Sequence, residues 1–441
     1  MTSTPSARRA IARNWSGSVR WTPAQIVRPR TEQDIVDALA SARRSRRRLR
    51  VIGGGHSFTA LAATDGVSMS LDGYQGVVSA DPVTGLVTLR GGTRLWAIAD
   101  LLAPHGLALE TMGDIDRQSI SGALQTGTHG TGAAYTGFAG TVRALRIALP
   151  DGSVVDADSE TNSDLFEAAR LGLGVIGVIC EVTIQCVPRY RLSLEEETVP
   201  LAPTVAGFLE TSAAADHQEF FWFPGTERAT LRTSARVAQE EARLRPHRAL
   251  EILQQEVLGN GAFEVLCRAA TLAPGITPAV NALTSRLFAG SAVCDDSPSV
   301  YAAPRRVRFH ESEWAVPADR FEEAFAAVRR RIEADRIPIT FPLEIRRLGA
   351  DDVWMSPASG RDTVYIAAHR YHRQDQVPFL VGIQEALRPF DARPHWGKQH
   401  WLGPEDLRRL YPRFDDFLEV RRQADPDGVL LTPYLRDLLG V

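Results

Sequence analysis

Three glycine-rich stretches punctuate the first 190 residues, and the elements around them restrict the fold more than any other feature of the chain. The first, Gly53-Gly54-Gly55-His56-Ser57, follows directly on the strand-like Leu49–Ile52. Glycines in a row let successive backbone N–H groups turn toward one point, which makes a cradle for phosphate oxygens. A tight turn that only requires positive φ is the plainer alternative. The second stretch runs Ser119-Ile120-Ser121-Gly122-Ala123-Leu124-Gln125-Thr126-Gly127-Thr128-His129-Gly130-Thr131-Gly132. It holds too much Gly and Thr to be a core helix throughout, and its hydroxyls and open amides suit a polar ligand that the chain approaches closely. The third, Gly172-Leu173-Gly174-Val175-Ile176-Gly177, matches the GxGxxG pattern but stands in the wrong order. A dinucleotide pyrophosphate rests on the N-terminus of a helix that follows such a turn. Here the helical segment Asp164–Arg170 precedes and the strand-like Val178–Ile184 follows, so no Rossmann NAD site is expected.

Around these turns, predicted strands at Leu49–Ile52, Val67–Leu71, Val87–Arg90, Val142–Leu149 and Ile179–Cys186 alternate with predicted helices at Thr31–Arg44, Arg94–Leu102 and Ser163–Leu171. Thr31 ahead of Glu32 and Asp34 marks a helix start, since negative charge favours the first turn. Such alternation argues for a mixed α/β domain. Beyond about residue 190 the texture changes. Alternating segments at Glu219–Phe223, Thr230–Thr233 and Val307–Trp314 predict antiparallel strands, and amphipathic helices follow at Pro317–Asp335 and Gln376–Arg388. A chain of 441 residues exceeds what one hydrophobic core usually serves. The expected organisation is α+β with two domains. One spans residues 1–188 and the other 189–393, between proline-marked hinges near Pro188 and Pro394, and a segment 394–441 returns to the first.

A net charge of -3 gives no reason to expect nucleic acid or an anionic membrane as partner. The one basic run, Arg43–Arg50, lies between a helix and a short strand and reads as a solvated helix end. Cys180, Cys186, Cys267 and Cys294 form no CxxC pair and no disulfide framework. The arginine-bearing N-terminus has no apolar run behind it, as a secretory signal needs, and no segment is apolar for long enough to span a bilayer. A reducing cytoplasm is the expected address. His310, His372, His395 and His400 lack metal-ligand spacing, and no metal site is expected. No GxSxG nucleophile motif is present. Glu344 and Arg346 alternate along a strand-like run, so both point to one face. Composition alone would make them a surface salt bridge of little weight.

GGGHSF after a strand, SISGALQTGTHGTG, LGLGVIGVI, Leu343-Glu344-Ile345-Arg346 and Pro394-His395-Trp396-Gly397-Lys398 occur in this order. Together they resemble the aldonolactone oxidase and alditol oxidase branch of the vanillyl-alcohol-oxidase flavoenzymes, from about Trp15 to Leu439. The resemblance implies a two-domain FAD-binding fold whose cap domain is built on an antiparallel sheet. It implies that Gly53, Gly54, Gly55 and Ser57 hold the FAD pyrophosphate, and that His56 is bonded to the 8α-methyl of the isoalloxazine. A covalent tether prevents cofactor loss and raises the flavin potential, which suits oxidation of an unactivated C–OH. The other cofactor contacts it implies are Gly113, Asp114, Ser119, Ser121, Gly122, Thr126, Gly127, Thr128, His129, Gly130, Gly174, Val175, Ile176, Gly177, Val178, His395 and Lys398. On the far side of the flavin it implies Glu344, Arg346 and Lys398 as catalytic groups. Hydride leaves for flavin N5 while the hydroxyl loses its proton, so a carboxylate to accept it and cations to stabilise the oxyanion answer the need. A lysine near an arginine inside a cleft is expected to titrate low enough to join the proton transfer. His369 matches a position near the substrate, as a catalytic or a structural group.

The polyol-oxidising members carry a small residue followed by serine where this chain has Gly113-Asp114, and FPLEIRRLGADDVWMSP is closer to the lactone-oxidising members. The implied substrate is a small polyhydroxylated molecule, foremost a gulono-, galactono- or arabinono-1,4-lactone, with an alditol as the alternative. In the lactone-oxidising relatives a slightly larger residue at the place of Gly113 shields the reactive flavin edge. Glycine leaves a gap about the size of a methyl group, so O2 is the expected acceptor, giving hydrogen peroxide. Two alternatives stand beside this: a glycine kept only for positive φ, and a dehydrogenase with another acceptor. A flavoprotein that binds FAD without turnover is opposed by the presence of Glu344, Arg346 and Lys398.

Overall fold

The computed structural model describes residues 11–244, 260–287, 292–302 and 305–441. The first ten residues, the start of the arginine-bearing N-terminus considered above, lie outside the described residues. Among the described residues no helix is long and apolar enough to cross a membrane.

The chain opens on a short hairpin, β1 (Ala12–Arg13) with β2 (Arg20–Trp21), and then builds a small parallel sheet. Strands β3 (Gln25–Val27), β4 (Leu49–Ile52) and β5 (Val67–Ser70) stand in the order β3-β5-β4. Parallel strands need a long crossover, and α1 (Glu32–Arg44) supplies the one between β3 and β4. Thr31 starts it with a capping box. The Asp34 N–H donates to Thr31 Oγ1 at 3.1 Å and the Thr31 N–H donates to the Asp34 carboxylate at 3.0 Å. Ile35, Leu39 and Ala42 form the inward stripe of α1 against Leu49, Val67 and Met69. The triple glycine leaves the carboxyl end of β4.

Here the reading of the basic run is corrected. Arg43, Arg44, Arg46 and Arg47 are exposed, as a solvated helix end should be. Arg50, in β4, is 4% exposed. Its guanidinium donates to the carbonyls of Leu61 (2.8 Å), Leu173 (2.7 Å), Gly174 (2.6 Å) and Leu430 (3.0 Å). Burial pushes it down to about 10, and four acceptors make that burial tolerable. One side chain thus joins β4 to the third glycine turn and to the C-terminal tail.

An antiparallel sheet comes next. It holds β6 (Val77–Ala80), β7 (Leu86–Arg90), β8 (Leu107–Leu109), β9 (Val142–Ala148), β10 (Val154–Asp158) and β11 (Val178–Pro188). The order is β10-β9-β11-β7-β6, with β8 paired to the far end of β11. That pairing explains why β11 outruns its predicted end, since Cys186, Val187 and Pro188 have partners in Leu109, Ala108 and Leu107. The helix Ser163–Arg170 precedes β11, so the third glycine stretch is a helix-to-strand turn. Val175 and Ile176 are buried in the core beneath it. The C-terminal helices Pro404–Leu410, Phe414–Ala424 and Pro433–Leu439 send Leu407, Phe414, Phe417 and Leu435 into the same core as Val87, Leu145 and Val182.

The largest sheet has eight antiparallel strands: β12 (Arg191–Pro200), β13 (His217–Trp222), β14 (Arg228–Val237), β15 (Ala292–Asp296), β16 (Phe309–Pro317), β17 (Leu343–Leu348), β18 (Thr363–Tyr371) and β19 (Arg393–Pro394). Their order is β15-β12-β14-β13-β17-β18-β16-β19. Pro394, read above as a hinge, pairs with Trp314 at the sheet edge. Side chains alternate between the two faces. Phe220, Trp222, Trp314, Ile345 and Ile366 pack one face against the helices Phe321–Asp335 and Val377–Leu387. The opposite face is polar and forms the site described below.

The four carbonyls around Arg50 generate a stability prediction. Arg50→Met should lower the unfolding free energy by about 3 kcal/mol or more, because buried acceptors lose their donors. Arg47→Met, on the exposed part of the same run, should stay within about 0.5 kcal/mol of the parent. Denaturant unfolding of both variants checks the contrast.

Candidate active site

Parts of all three glycine stretches meet. Gly53, Gly54, Gly55, His56, Ser57, Ser119, Ser121, Gly122, Thr126, Gly174, Gly177 and Val178 line one cleft with about 930 Å³ of empty space. A Cβ on Gly54 would stand 2.5 Å from the Arg117 carbonyl oxygen, and one on Gly53 2.5 Å from Ser119 Oγ. The first turn therefore lies against the second stretch only as glycine. Of the three glycines, Gly55 has positive φ (69°), so the plain turn reading accounts for one of them. None of the residues lining the cleft is acidic.

The rest of the second stretch lies beside this cleft. Gln118 Nε2 donates to Thr128 Oγ1 at 2.8 Å, and Gly127 turns with φ 76°. A Cβ on Gly130 would come within 2.6 Å of the Met112 carbonyl oxygen. Gly113 does not have positive φ, which removes the conformational alternative for it. A methyl group there would stand 3.0 Å from the His129 carbonyl oxygen.

The polar face of the large sheet supplies the charged groups. Period-two alternation turns Glu344 and Arg346 of β17, Glu311 and Glu313 of β16, Glu219 of β13 and His369 of β18 to the same side. Register then makes Glu219 the neighbour of Arg346 and Glu311 the neighbour of His369. Arg346 Nη2 is ion-paired to Glu344. Its Nε meets Glu219 at 2.8 Å and its Nη2 meets Asp114 at 3.4 Å. Glu219 continues to Arg232 at 2.9 Å, and Asp114 is also ion-paired to Arg305. Lys398, from the loop after β19, places Nζ 2.5 Å from Glu311 and 3.9 Å from Glu313. The Phe58 N–H donates to the Gly397 carbonyl at 2.7 Å, which joins that loop to the first glycine turn. A second cavity, with about 420 Å³ of empty space, opens beside Arg346 between Asp114, His217, Glu219, Arg232 and Tyr301.

Burial and pairing compete at each group. Burial alone would raise Asp114, Glu311 and Glu313, but their cationic neighbours outweigh it and hold all three below the ordinary carboxylate range. At Glu344 burial wins over Arg346, and its carboxyl is raised. His369 is raised because Glu311 and Glu344 outweigh its burial. The expectation for Lys398 is overturned. Burial would lower it, but Glu311 and Glu313 hold it above its ordinary value, so it is a fixed cation.

The ligand atoms of His129, Glu313 and His395 lie within 4.8 Å of one another. Hydrogen bonding accounts for the cluster without a metal. His129 Nδ1 bonds the Gly130 carbonyl at 2.9 Å, and its Nε2 faces Glu313 at 3.3 Å. The Gly397 N–H donates to His395 Nδ1 at 3.0 Å, and burial pushes His395 down to about 3, leaving it neutral.

Residues 182–438 match the sequence pattern of D-arabinono-1,4-lactone oxidase, and residues 23–158 match the FAD binding domain. The chain belongs to the D-arabinono-1,4-lactone oxidase family. It is 38% identical over 427 residues to the L-gulono-1,4-lactone dehydrogenase of Mycobacterium tuberculosis, covering 97% of this chain and 98% of that one. It is 30% identical over 438 residues to the alditol oxidase of a Streptomyces species, covering 97% and 98%. Among solved structures, cholesterol oxidase from B. sterolicum has the same fold, with a TM-score of 0.84 at 19% identity, over 98% of this chain and 97% of that one. The architecture is the α+β, FAD-binding fold of the vanillyl-alcohol-oxidase type, and the family member is an FAD-dependent oxidoreductase. The cleft fits the cofactor. Backbone amides at Gly53–Gly55, hydroxyls at Ser119 and Ser121 and an acid-free lining suit a diphosphate.

Sequence reasoning missed Glu219, Glu311, Glu313, Arg232 and Arg305. For Glu311 and Glu313 the signal was present, because Phe309–Pro317 alternates in the same way as Glu344 and Arg346. Lys398→Met tests the cluster. Without its cation Glu311 keeps only the longer contact to His369 Nε2 at 3.5 Å, and the weakened pairing of a buried carboxylate should cost about 1–3 kcal/mol. The wild-type Glu311 is depressed, so its stabilisation is present above the ordinary carboxylate range and fades as pH falls. The stability gap between wild type and variant should therefore be widest near pH 8 and narrow toward pH 4, as followed by denaturant unfolding.

Proposed function

We propose that the chain oxidises a CH–OH group of an aldono-1,4-lactone, with FAD tethered at His56 and O2 as acceptor, giving hydrogen peroxide. The observation that carries the reading is an acid-free glycine cleft joined through Phe58 and Gly397 to a buried polar sheet face, where Glu344 meets Arg346 and His369 and Glu311 meets Lys398. Bound FAD would supply the two-electron acceptor that no side chain offers. Glu344 is the proton acceptor in this reading, since a carboxylate raised toward neutrality is the better general base. Arg346, held by Glu219 and Asp114, and Lys398, held by Glu311, stabilise developing oxyanion charge without having to reorganise. His369 donates from Nδ1 to the Pro342 carbonyl at 3.1 Å, which leaves Nε2 facing Glu311 at 3.5 Å and Glu344 at 4.0 Å. It can pass on the proton that Glu344 takes up.

The charged lining of the cavity beside Arg346 supports a hydroxyl-rich ligand. The family's name and that of the 38% identical relative favour a lactone over an alditol. Anaerobic stopped-flow with a panel of 1,4-lactones and alditols, reading the long-wavelength flavin band, is the deciding experiment. A lactone should reduce the flavin fastest, and an alditol that outpaced every lactone would move the substrate. Arg346→Ala should slow reduction by on the order of a hundredfold with FAD content unchanged.

O2 as acceptor is read from Gly113, where an added methyl group would press on the His129 carbonyl at 3.0 Å and narrow the approach. That relative is named a dehydrogenase, which favours another acceptor as the second reading. Gly113→Ala should slow reoxidation by O2 and leave reduction by substrate nearly intact. A wild-type enzyme that reacts with O2 no faster than free reduced flavin does would establish the dehydrogenase instead.

A further inference from the structure

A side chain that must form a bond at one atom has to be held in one orientation, and the terminal torsion of histidine is broad. Hydrogen bonds ordinarily fix an imidazole. His56 makes none to a side chain or backbone group among the described residues, and what holds it is an aromatic ring. The indole of Trp15 stacks on the imidazole with centroids 5.7 Å apart and planes 22° from parallel. Trp15 is itself fixed. Its backbone N–H donates to the Gly55 carbonyl at 2.7 Å, and its ring meets Phe309 edge-on at 5.1 Å and Phe58 at 6.2 Å. The preceding Asn14 is 5% exposed and donates to the Ser57 carbonyl at 3.0 Å, while accepting from the Val19 N–H at 3.0 Å. The loop of the β1–β2 hairpin therefore grips the glycine turn on both sides of His56, at Gly55 and at Ser57.

We infer that Trp15 is a positioning residue for the tether, holding the His56 imidazole where a ring nitrogen can reach the flavin 8α-methyl. The inference rests on the reading that His56 carries the flavin. The bond to form joins an imidazole nitrogen to the methyl carbon, and one C–H and one N–H bond break. The two electrons released pass into the isoalloxazine and on to O2, which takes both protons to become hydrogen peroxide. The nitrogen must be unprotonated for this. Burial, helped by the Lys398 charge, pushes His56 down to about 4, which leaves its lone pair free near neutral pH. Stacking of this kind corresponds to about a two- to tenfold preference for one ring orientation. Among the described residues no hydrogen bond fixes that plane.

The test uses the full-length chain made under flavin limitation and then mixed with FAD, following acid-stable flavin absorbance with time. Wild type should tether its FAD completely. Trp15→Leu keeps apolar bulk but has no flat ring, and should bind FAD to the same extent while tethering it about tenfold more slowly. Trp15→Phe restores a ring and should tether within about twofold of wild type. Tethering by Trp15→Leu at the wild-type rate would overturn the inference while leaving the covalent reading intact. Loss of FAD binding altogether in Trp15→Leu would overturn it too, because the ring would then serve only packing. Release of all flavin by acid from wild type would overturn the covalent reading and the inference with it.

Discussion

A carboxylate removed from water costs several kcal/mol unless a cation or hydrogen-bond donors meet it. One face of the large sheet carries Glu219, Glu311, Glu313 and Glu344, all of them buried. The arrangement of Arg346, Lys398, His369 and His129 follows from that constraint, for each lies within ion-pair distance of at least one of these acids. The same constraint limits how the strands can pair. A slip of one residue in β16 or β17 would turn the acids into the apolar core formed by Phe220, Ile345 and Ile366, and would strand their cations. Charge pairing on one face and apolar packing on the other thus specify the same register.

The glycine cleft obeys the opposite rule. It offers backbone N–H groups and hydroxyls and has no acidic lining, so it can receive a diphosphate without repulsion. Acid is concentrated on the sheet and excluded from the cleft, although the backbone hydrogen bond from Phe58 to Gly397 joins the two. Such segregation lets one molecule hold an anionic cofactor and still keep a carboxylate beside the groups that would face its substrate.

What could be read from the sequence was what depends on near neighbours. Thr31 and Asp34 are three residues apart, so the cap of α1 was legible, as were the bounds of β4 and the reversed order around Gly172–Gly177. Glu344 and Arg346 share a face through simple alternation. Other features depend on distant segments. Arg50 stands among exposed arginines in sequence, and two of its acceptors, Gly174 and Leu430, lie 124 and 380 residues away. Lys398 was expected to titrate low because its acidic partners sit on β16, which nothing near residue 398 announces. Trp15 and Asn14 were silent for the same reason, since their partners are in the turn some forty residues on.

These pairings also decide where protons can move. Arg346 and Lys398 are held charged by carboxylates at close range, and Asp114, Glu311 and Glu313 are held deprotonated by cations. None of the five is free to exchange a proton near neutrality without leaving a buried partner unpaired. Glu344 and His369 differ from them. Both are shifted toward holding a proton more readily than usual, and they face each other at 4.0 Å. The His369 Nδ1–H is committed to the Pro342 carbonyl, so any proton gained must sit on Nε2, on the side of Glu344 and Glu311. A proton moving within this cluster would therefore pass along one edge, between Glu344 and His369. The surrounding paired charges would set the field for such a transfer without titrating themselves.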